Sequence, residues 1–187
     1  MHSTSYIEQC VAHLRKGDTI LYPTDTIWGI GGDATREDVI EKIFDVKRRS
    51  KEKSLIVLVD SIQMLKQYVE VSAALEQLIV DLTVPTTIIY SNPRNLAPSV
   101  VASTGTVAIR IPSHDFCKSL IKSFGKPIVS TSANISGEIS PAVFEDISEE
   151  IKANVDCIVS KEYDTSEYKQ ASRLIRILPD GSLEYLR

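Results

Sequence analysis

Leu55-Ile56-Val57-Leu58-Val59 is an unbroken apolar run, with Ser54 before it and Asp60 after it. A strand with one wet face alternates apolar and polar side chains. This run has no wet face, so a strand here is covered on both sides. Chains of that kind interleave strands with helices, and the run predicts a layered α/β fold. The neighbouring segments comply. Residues 3–16 carry Ile7, Val11 and Leu14 at helical spacing, and Gly17 closes them. Residues 19–22 read as a short buried strand running into Pro23. Thr35 resembles a helix N-cap with Asp38 at the capping-box position, and the helix that follows buries Val39, Ile40, Ile43 and Phe44. Further helices are expected over 61–69, opened by Ser61, over 72–82, and over 114–124, closed by Gly125. Further strands are expected over 86–90, 106–111, 128–130 and 157–159. Residues 174–178 and 183–186 read as a hairpin around Pro179-Asp180-Gly181. A hairpin adds antiparallel pairing, so the expected architecture is a twisted sheet of mixed parallel and antiparallel strands with flanking helices.

Composition narrows the class. The 187 residues are 43% apolar and 25% charged, which fits one ordinary globular domain over 1–187. No apolar stretch approaches the ~18 residues of a membrane span, and the N-terminal segment does not read as a secretory signal. Cys10, Cys117 and Cys157 are odd in number and far apart, as expected of reduced, buried thiols in a cytoplasmic protein. A net charge of −4 argues against wholesale electrostatic binding to nucleic acid or lipid, though not against a local basic patch.

The chemistry is expected where polar groups interrupt strands. In residues 106–111 the side chains alternate, so Val107, Ile109 and Ile111 face a core while Thr106, Ala108 and Arg110 face the other way. An arginine in mid-sheet demands an anion. That anion is either an internal carboxylate or the carboxylate or phosphate of a ligand. Thr24 and Thr26, in Pro23-Thr24-Asp25-Thr26-Ile27-Trp28-Gly29, can present both hydroxyls on one side. Gly29, Gly31 and Gly32 then allow close backbone approach to a ligand, although alone the segment reads as a turn. Lys47, Arg48, Arg49, Lys51 and Lys53 form a cationic cluster at a helix exit. Such a cluster is either a solvated face or a contact for polyphosphate or nucleic acid. No phosphate-binding P-loop pattern exists in the chain. Residues 130–137 are rich in small donors, with Ser130 and Ser132 able to face the same way. Ser140-Pro141 reads as an N-cap and first helical residue, a natural anion seat. The histidines His2, His13 and His114 have no zinc-site spacing, no cysteine sits as a nucleophile, and Ser132 lacks a nucleophile elbow. What remains is a site of hydroxyls, backbone amides and cations, suited to phosphate-centred transfer by positioning and electrostatics.

Four segments resemble a known family in the expected order. YPTDTIWGIGGDA resembles its Y/F-P-T-D/E-T-x-x-G-L/I-G signature, and IFDVKRRSKEKSLIVLV its K-x-R helix exit and strand. TVAIRIP resembles V-A-V/I-R-V/I/L-P, and STSANISGEISP the S-A-N-x-S-G loop. On these motifs the chain is identified as a member of the YrdC-like family. The resemblance implies a twisted α/β fold with a concave basic cavity. It also implies a nucleotidyltransferase activity, that of the threonylcarbamoyl-AMP synthases. These condense L-threonine, bicarbonate and ATP, with Mg2+, into threonylcarbamoyl-adenylate and pyrophosphate. The magnesium is expected to ride on the nucleotide, with no protein metal site. The product feeds threonylcarbamoyladenosine formation in transfer RNA, which implies a downstream tRNA threonylcarbamoyl-transferase machinery as partner and allows a direct tRNA or double-stranded RNA contact. Carried over by motif, Thr26, Arg110, Ser130 and Ser172 hold threonine. Lys47, Arg49, Lys53, Thr106, Ser132, Asn134, Ser140 and Arg187 hold ATP, and Lys47, Arg49 and Arg110 carry the chemistry. Ser50 and Ser54 stand where the family often has proline, and Leu58 where some members have histidine. Two rival readings are a non-enzymatic RNA-binding module and a YciO-like paralogue of altered activity.

Overall fold

The computed structural model describes residues 2–50, 54–178 and 182–187. Its helices are α1 (His2–Lys16), α2 (Glu37–Val46), α3 (Ile62–Tyr68), α4 (Ala73–Val80), α5 (Asp115–Phe124) and α6 (Glu149–Asn154). Its strands are β1 (Ile20–Tyr22), β2 (Gly29–Gly31), β3 (Ile56–Leu58), β4 (Thr86–Ser91), β5 (Thr106–Arg110), β6 (Ile128–Ser132), β7 (Cys157–Ile158), β8 (Arg173–Ile177) and β9 (Leu183–Tyr185). They form a mixed sheet in the order β7-β1-β2-β6-β3-β5-β4-β8-β9. β3 lies in its middle, antiparallel to β6 and parallel to β5. This is where the five-residue apolar run belongs: Leu55, Val57, Leu58 and Val59 are all buried. Ile56 departs from the expectation, since it is half-buried and lines a cleft.

Local signals set most helix ends. Ser61 caps α3 by accepting from Met64 N at 3.2 Å, and Ser72 caps α4 by accepting from Leu75 N at 3.2 Å. Gly125 closes α5 in the left-handed region at φ 78°, a conformation glycine adopts without strain. Two expected caps are corrected. The residue before α2 is Arg36, which makes no side-chain cap bond. Asp33 takes Thr35 instead, from its backbone N at 2.8 Å and its Oγ1 at 2.6 Å, while Asp38 pairs with Arg36 Nε at 3.0 Å. No helix starts at Ser140-Pro141; the Ser140 hydroxyl instead turns back onto Asn134 Oδ1 at 3.4 Å. The hairpin of β8 and β9 pairs as expected, and its Pro179-Asp180-Gly181 turn lies outside the described residues. Cys10 and Cys117 are buried, whereas Cys157 is only half-buried.

The glycine-rich segment is the larger surprise. Gly29–Gly31 is a strand, paired with β1 on one side and β6 on the other. Its glycines mostly serve the protein's own packing rather than a ligand. A Cβ on Gly31 would meet the Val129 carbonyl and lie 2.7 Å from Tyr22 Cε1; one on Gly32 would meet Val39. Gly31→Ala therefore forces rigid backbone apart. It is expected to cost about 1–3 kcal/mol, read as a lower denaturation midpoint at unchanged m-value. An unaltered midpoint would show that β2 and β6 yield without strain.

Candidate active site

The order β2-β6-β3-β5 brings together side chains distant in sequence. Ala108 of β5 and Ser130 of β6 both pair with Ile56 of β3, and Ser132 pairs with Gly29 of β2. These positions floor a cleft of about 250 Å³. Thr26, Arg49, Arg110, Ser130, Ser132, Ser140, Ser172 and Arg187, all expected site residues, line it. Lys47, Thr106 and Asn134 do not, and Lys53 lies outside the described residues. A second cavity of about 310 Å³ shares Arg110 and passes between α3, α4 and the β4–β5 strands, where Ile62, Leu65, Ile79, Ile88 and Ile109 make its wall largely aliphatic. A charged, hydroxyl-bearing ligand fits the first better.

Thr26 reaches the cleft because Thr24 shapes the turn before it. The Thr24 hydroxyl donates to Ile27 O at 2.8 Å and accepts from Thr26 N at 3.1 Å. Thr24 is thus spent inside the protein, and only Thr26 of the pair faces the cleft. The chain beyond β7 wraps over the same edge: Asp164 accepts from Trp28 Nε1 at 2.8 Å, and Ser166 Oγ donates to Thr26 O at 3.4 Å. Ser172 shares a 2.7 Å hydroxyl contact with Thr87, and its carbonyl accepts from Arg187 Nε at 3.1 Å. Trp28 and Ala108 also line the cleft.

The anion that Arg110 meets in the fold is internal. Its guanidinium forms an ion pair with Asp25, and both side chains are almost wholly buried, at 4% and 6% exposure. The other oxygen of Asp25 accepts from Ser113 N at 3.0 Å. Arg110 nonetheless stands in the cleft wall, with Nη2 3.4 Å from Thr26 Oγ1. The mid-strand arginine was legible in the sequence; its partner was hidden inside the threonine turn.

Lys47 overturns its expected placement outside the core. It is fully buried, and its Nζ donates to the carbonyls of Ser132 and of Asn134, the latter at 2.7 Å. Asn134 continues the same tie, donating through Nδ2 to Ile135 O at 2.8 Å and to Glu138 O at 3.0 Å. Thr106 meets Thr104 across 2.8 Å at the start of β5, short of the cleft. Burial, then the charge of Arg49, lowers the Lys47 ammonium to about 7. Burial lowers Arg49, and burial followed by the charge of Arg110 lowers Arg187. The described cleft lining contains Arg49, Arg110 and Arg187 but no Asp or Glu side chain, so its charged side chains are all cations. Among the described residues no cluster of three or more His, Cys, Asp or Glu is placed to hold a metal ion. No helix among them is long and apolar enough to cross a membrane.

The molecule is an α/β protein whose mixed sheet opens into a cleft lined by hydroxyls and arginines. Within that class the chain belongs to the Sua5/YciO/YrdC family, whose model, described as telomere recombination, matches residues 12–187. It is similar to the threonylcarbamoyl-AMP synthase of Aliivibrio fischeri, with 35% identity over 135 residues, 70% of this chain and 73% of that one. It is similar to the threonylcarbamoyl-AMP synthase of Bacillus subtilis, with 33% identity over 156 residues, 82% of this chain but 45% of the relative. Among solved structures, P. abyssi Sua5 complexed with L-threonine superposes with a TM-score of 0.84 at 26% identity, covering 97% of this chain and 53% of that chain. The chain thus spans about half the length of those last two proteins.

Proposed function

We propose that the chain makes L-threonylcarbamoyl-adenylate from L-threonine, bicarbonate and ATP. The observation that carries this reading is the cleft, whose wall gathers a first group, Thr26, Arg110, Ser130 and Ser172, together with a second, Arg49, Ser132, Ser140 and Arg187. The first group suits an amino acid with a hydroxyl and a carboxylate; the second suits phosphates. The Aliivibrio and Bacillus relatives and the threonine-bound P. abyssi structure support it. In this reaction the threonine amine attacks the carbon of bicarbonate and water leaves, giving a carbamate. A carbamate oxygen then attacks the α-phosphorus of ATP and pyrophosphate departs. The chain's arginines would offset the charge on the phosphates and on the carbamate, which is transition-state stabilisation by fixed cations. Magnesium would arrive on the triphosphate, since the described cleft lining offers it no carboxylate. The product would pass to a tRNA threonylcarbamoyl-transferase system in the cytoplasm. A pure RNA groove needs cations but not this pocket of small hydroxyls.

Pyrophosphate release with ATP, bicarbonate and magnesium tests the reading. L-threonine should stimulate it, and L-valine should do so with kcat/KM at least about a hundredfold lower, because the buried hydroxyl partner is left unmet. Equal stimulation by valine would exclude threonine as the substrate.

A further inference from the structure

Asp25 has no part in the reaction just described, yet the orientation of Arg110 depends on it. One carboxylate oxygen takes Arg110 Nη1, and the other accepts from Ser113 N at 3.0 Å and Ser113 Oγ at 3.3 Å. Asp25 is thereby clamped between the turn after β1 and the exit of β5. A guanidinium has two edges that can grip a carboxylate in parallel, Nη1/Nη2 and Nε/Nη2. Asp25 occupies Nη1. Among the described residues, Nη2 has only the 3.4 Å approach to Thr26 Oγ1, and Nε is enclosed with no hydrogen bond. Buried donors without acceptors are rare and costly, so the arrangement needs a reason. Resting on the assignment of the cleft to threonine, we infer that Asp25 is a positioning residue: it holds Arg110 by Nη1 so that the Nε/Nη2 edge is reserved for the α-carboxylate of the amino-acid substrate. Because Nε is enclosed, filling that edge requires the side chains around it to move.

Charge alone argues the opposite way. Asp25 offsets part of the positive charge on Arg110, so on Coulomb grounds its removal should tighten a carboxylate ligand. Positioning says that an unanchored guanidinium loses its parallel pair of hydrogen bonds and weakens the ligand. The sign of the change separates the two.

The test is Asp25→Asn, assayed by pyrophosphate release. The KM for threonine should rise roughly tenfold, while kcat at saturating threonine and the KM for ATP stay within about twofold. A residue that only stabilised the fold would lower the active fraction, and so kcat, without moving the KM. A threonine KM equal to or below that of the wild type overturns the inference. If this variant does not fold, Ser113→Ala removes only the 3.3 Å hydroxyl contact. That variant should still raise the threonine KM about two- to threefold, and no rise overturns the inference equally. Failure of the underlying reading looks different, because the wild type itself would then ignore threonine. In that event solvent exchange of the Arg110 Nε proton, followed by side-chain NMR without substrate, decides. Exchange should be slow in the wild type and at least about tenfold faster in the variant, and equal rates refute the positioning role.

Discussion

Arg110→Ala is expected to lose stability and threonine recognition together. Removing the arginine strands a carboxylate that is 6% exposed, which costs about 3–5 kcal/mol. For a chain of this size that is a fall in melting temperature of roughly 6–20 °C. The same truncation removes a charge-assisted contact to the substrate, a loss of about 1.5–3 kcal/mol or at least roughly tenfold in threonine affinity. The two effects separate in the double variant Asp25→Leu/Arg110→Met. Replacing both partners of a buried ion pair by apolar residues of similar volume is near neutral. The double variant should regain most of the lost stability and none of the threonine response. A melting curve and a threonine titration of both variants check this. Wild-type melting of Arg110→Ala would mean that the buried pair contributes nothing; unaltered threonine affinity would remove Arg110 from the substrate site.

Lys47→Ala and Arg49→Ala should behave differently although the residues are two apart. Lys47 is 0% exposed and ties the carbonyls of Ser132, at the end of β6, and of Asn134 beyond it, so its truncation leaves a cavity beneath that strand end. A cost of about 2–5 kcal/mol is expected, with ATP use falling alongside. Arg49 lines the cleft and donates from Nη2 to Ser54 O at 2.8 Å. Its truncation should leave stability within about 1 kcal/mol and raise the KM for ATP roughly tenfold. Equal melting of the two variants would refute the distinction. A pH signature accompanies it. Lys47 is lowered from its ordinary 10.5 to about 7, chiefly by burial. Between those values the unfolded chain holds a proton that the folded chain has released, so stability rises with pH across that window. Below about 7 both states are charged and the cost of burying the ammonium is full. The neutral amine keeps two N–H groups for two carbonyls, so the tie survives deprotonation. Denaturant unfolding from pH 6 to 10 should show this rise in the wild type and lose it in Lys47→Met. An identical pH dependence would mean that Lys47 keeps its ordinary affinity for the proton.

Some of this was readable from the residues alone. The apolar run at 55–59, the helical spacing before Gly17 and the serine caps at Ser61 and Ser72 act within a pleat or a single turn. Signals of that range survive in any tertiary setting, so fold class and most elements followed. So did the alternation that put Arg110 off the core face, and the motifs that gathered six of the cleft's residues, Thr26, Arg49, Arg110, Ser130, Ser132 and Ser140. β2 did not follow, because glycine disfavours strands and only the crowding by Tyr22 and the Val129 carbonyl explains its use there.

The partners of the two buried cations were beyond local signals altogether. Arg110 meets Asp25 across 85 positions, and Lys47 meets Ser132 and Asn134 across 85 and 87. Charge patterning places a cation at a helix exit or on a strand face, but not the acceptor it will find. That choice belongs to the sheet order, which sets β3 between β6 and β5 and brings the threonine turn over the end of β5. Once there, low dielectric makes an unpaired charge costly, so each cation takes the acceptor the topology supplies. For Lys47 the supply is two carbonyls, and a residue that reads as a surface cation becomes part of the core.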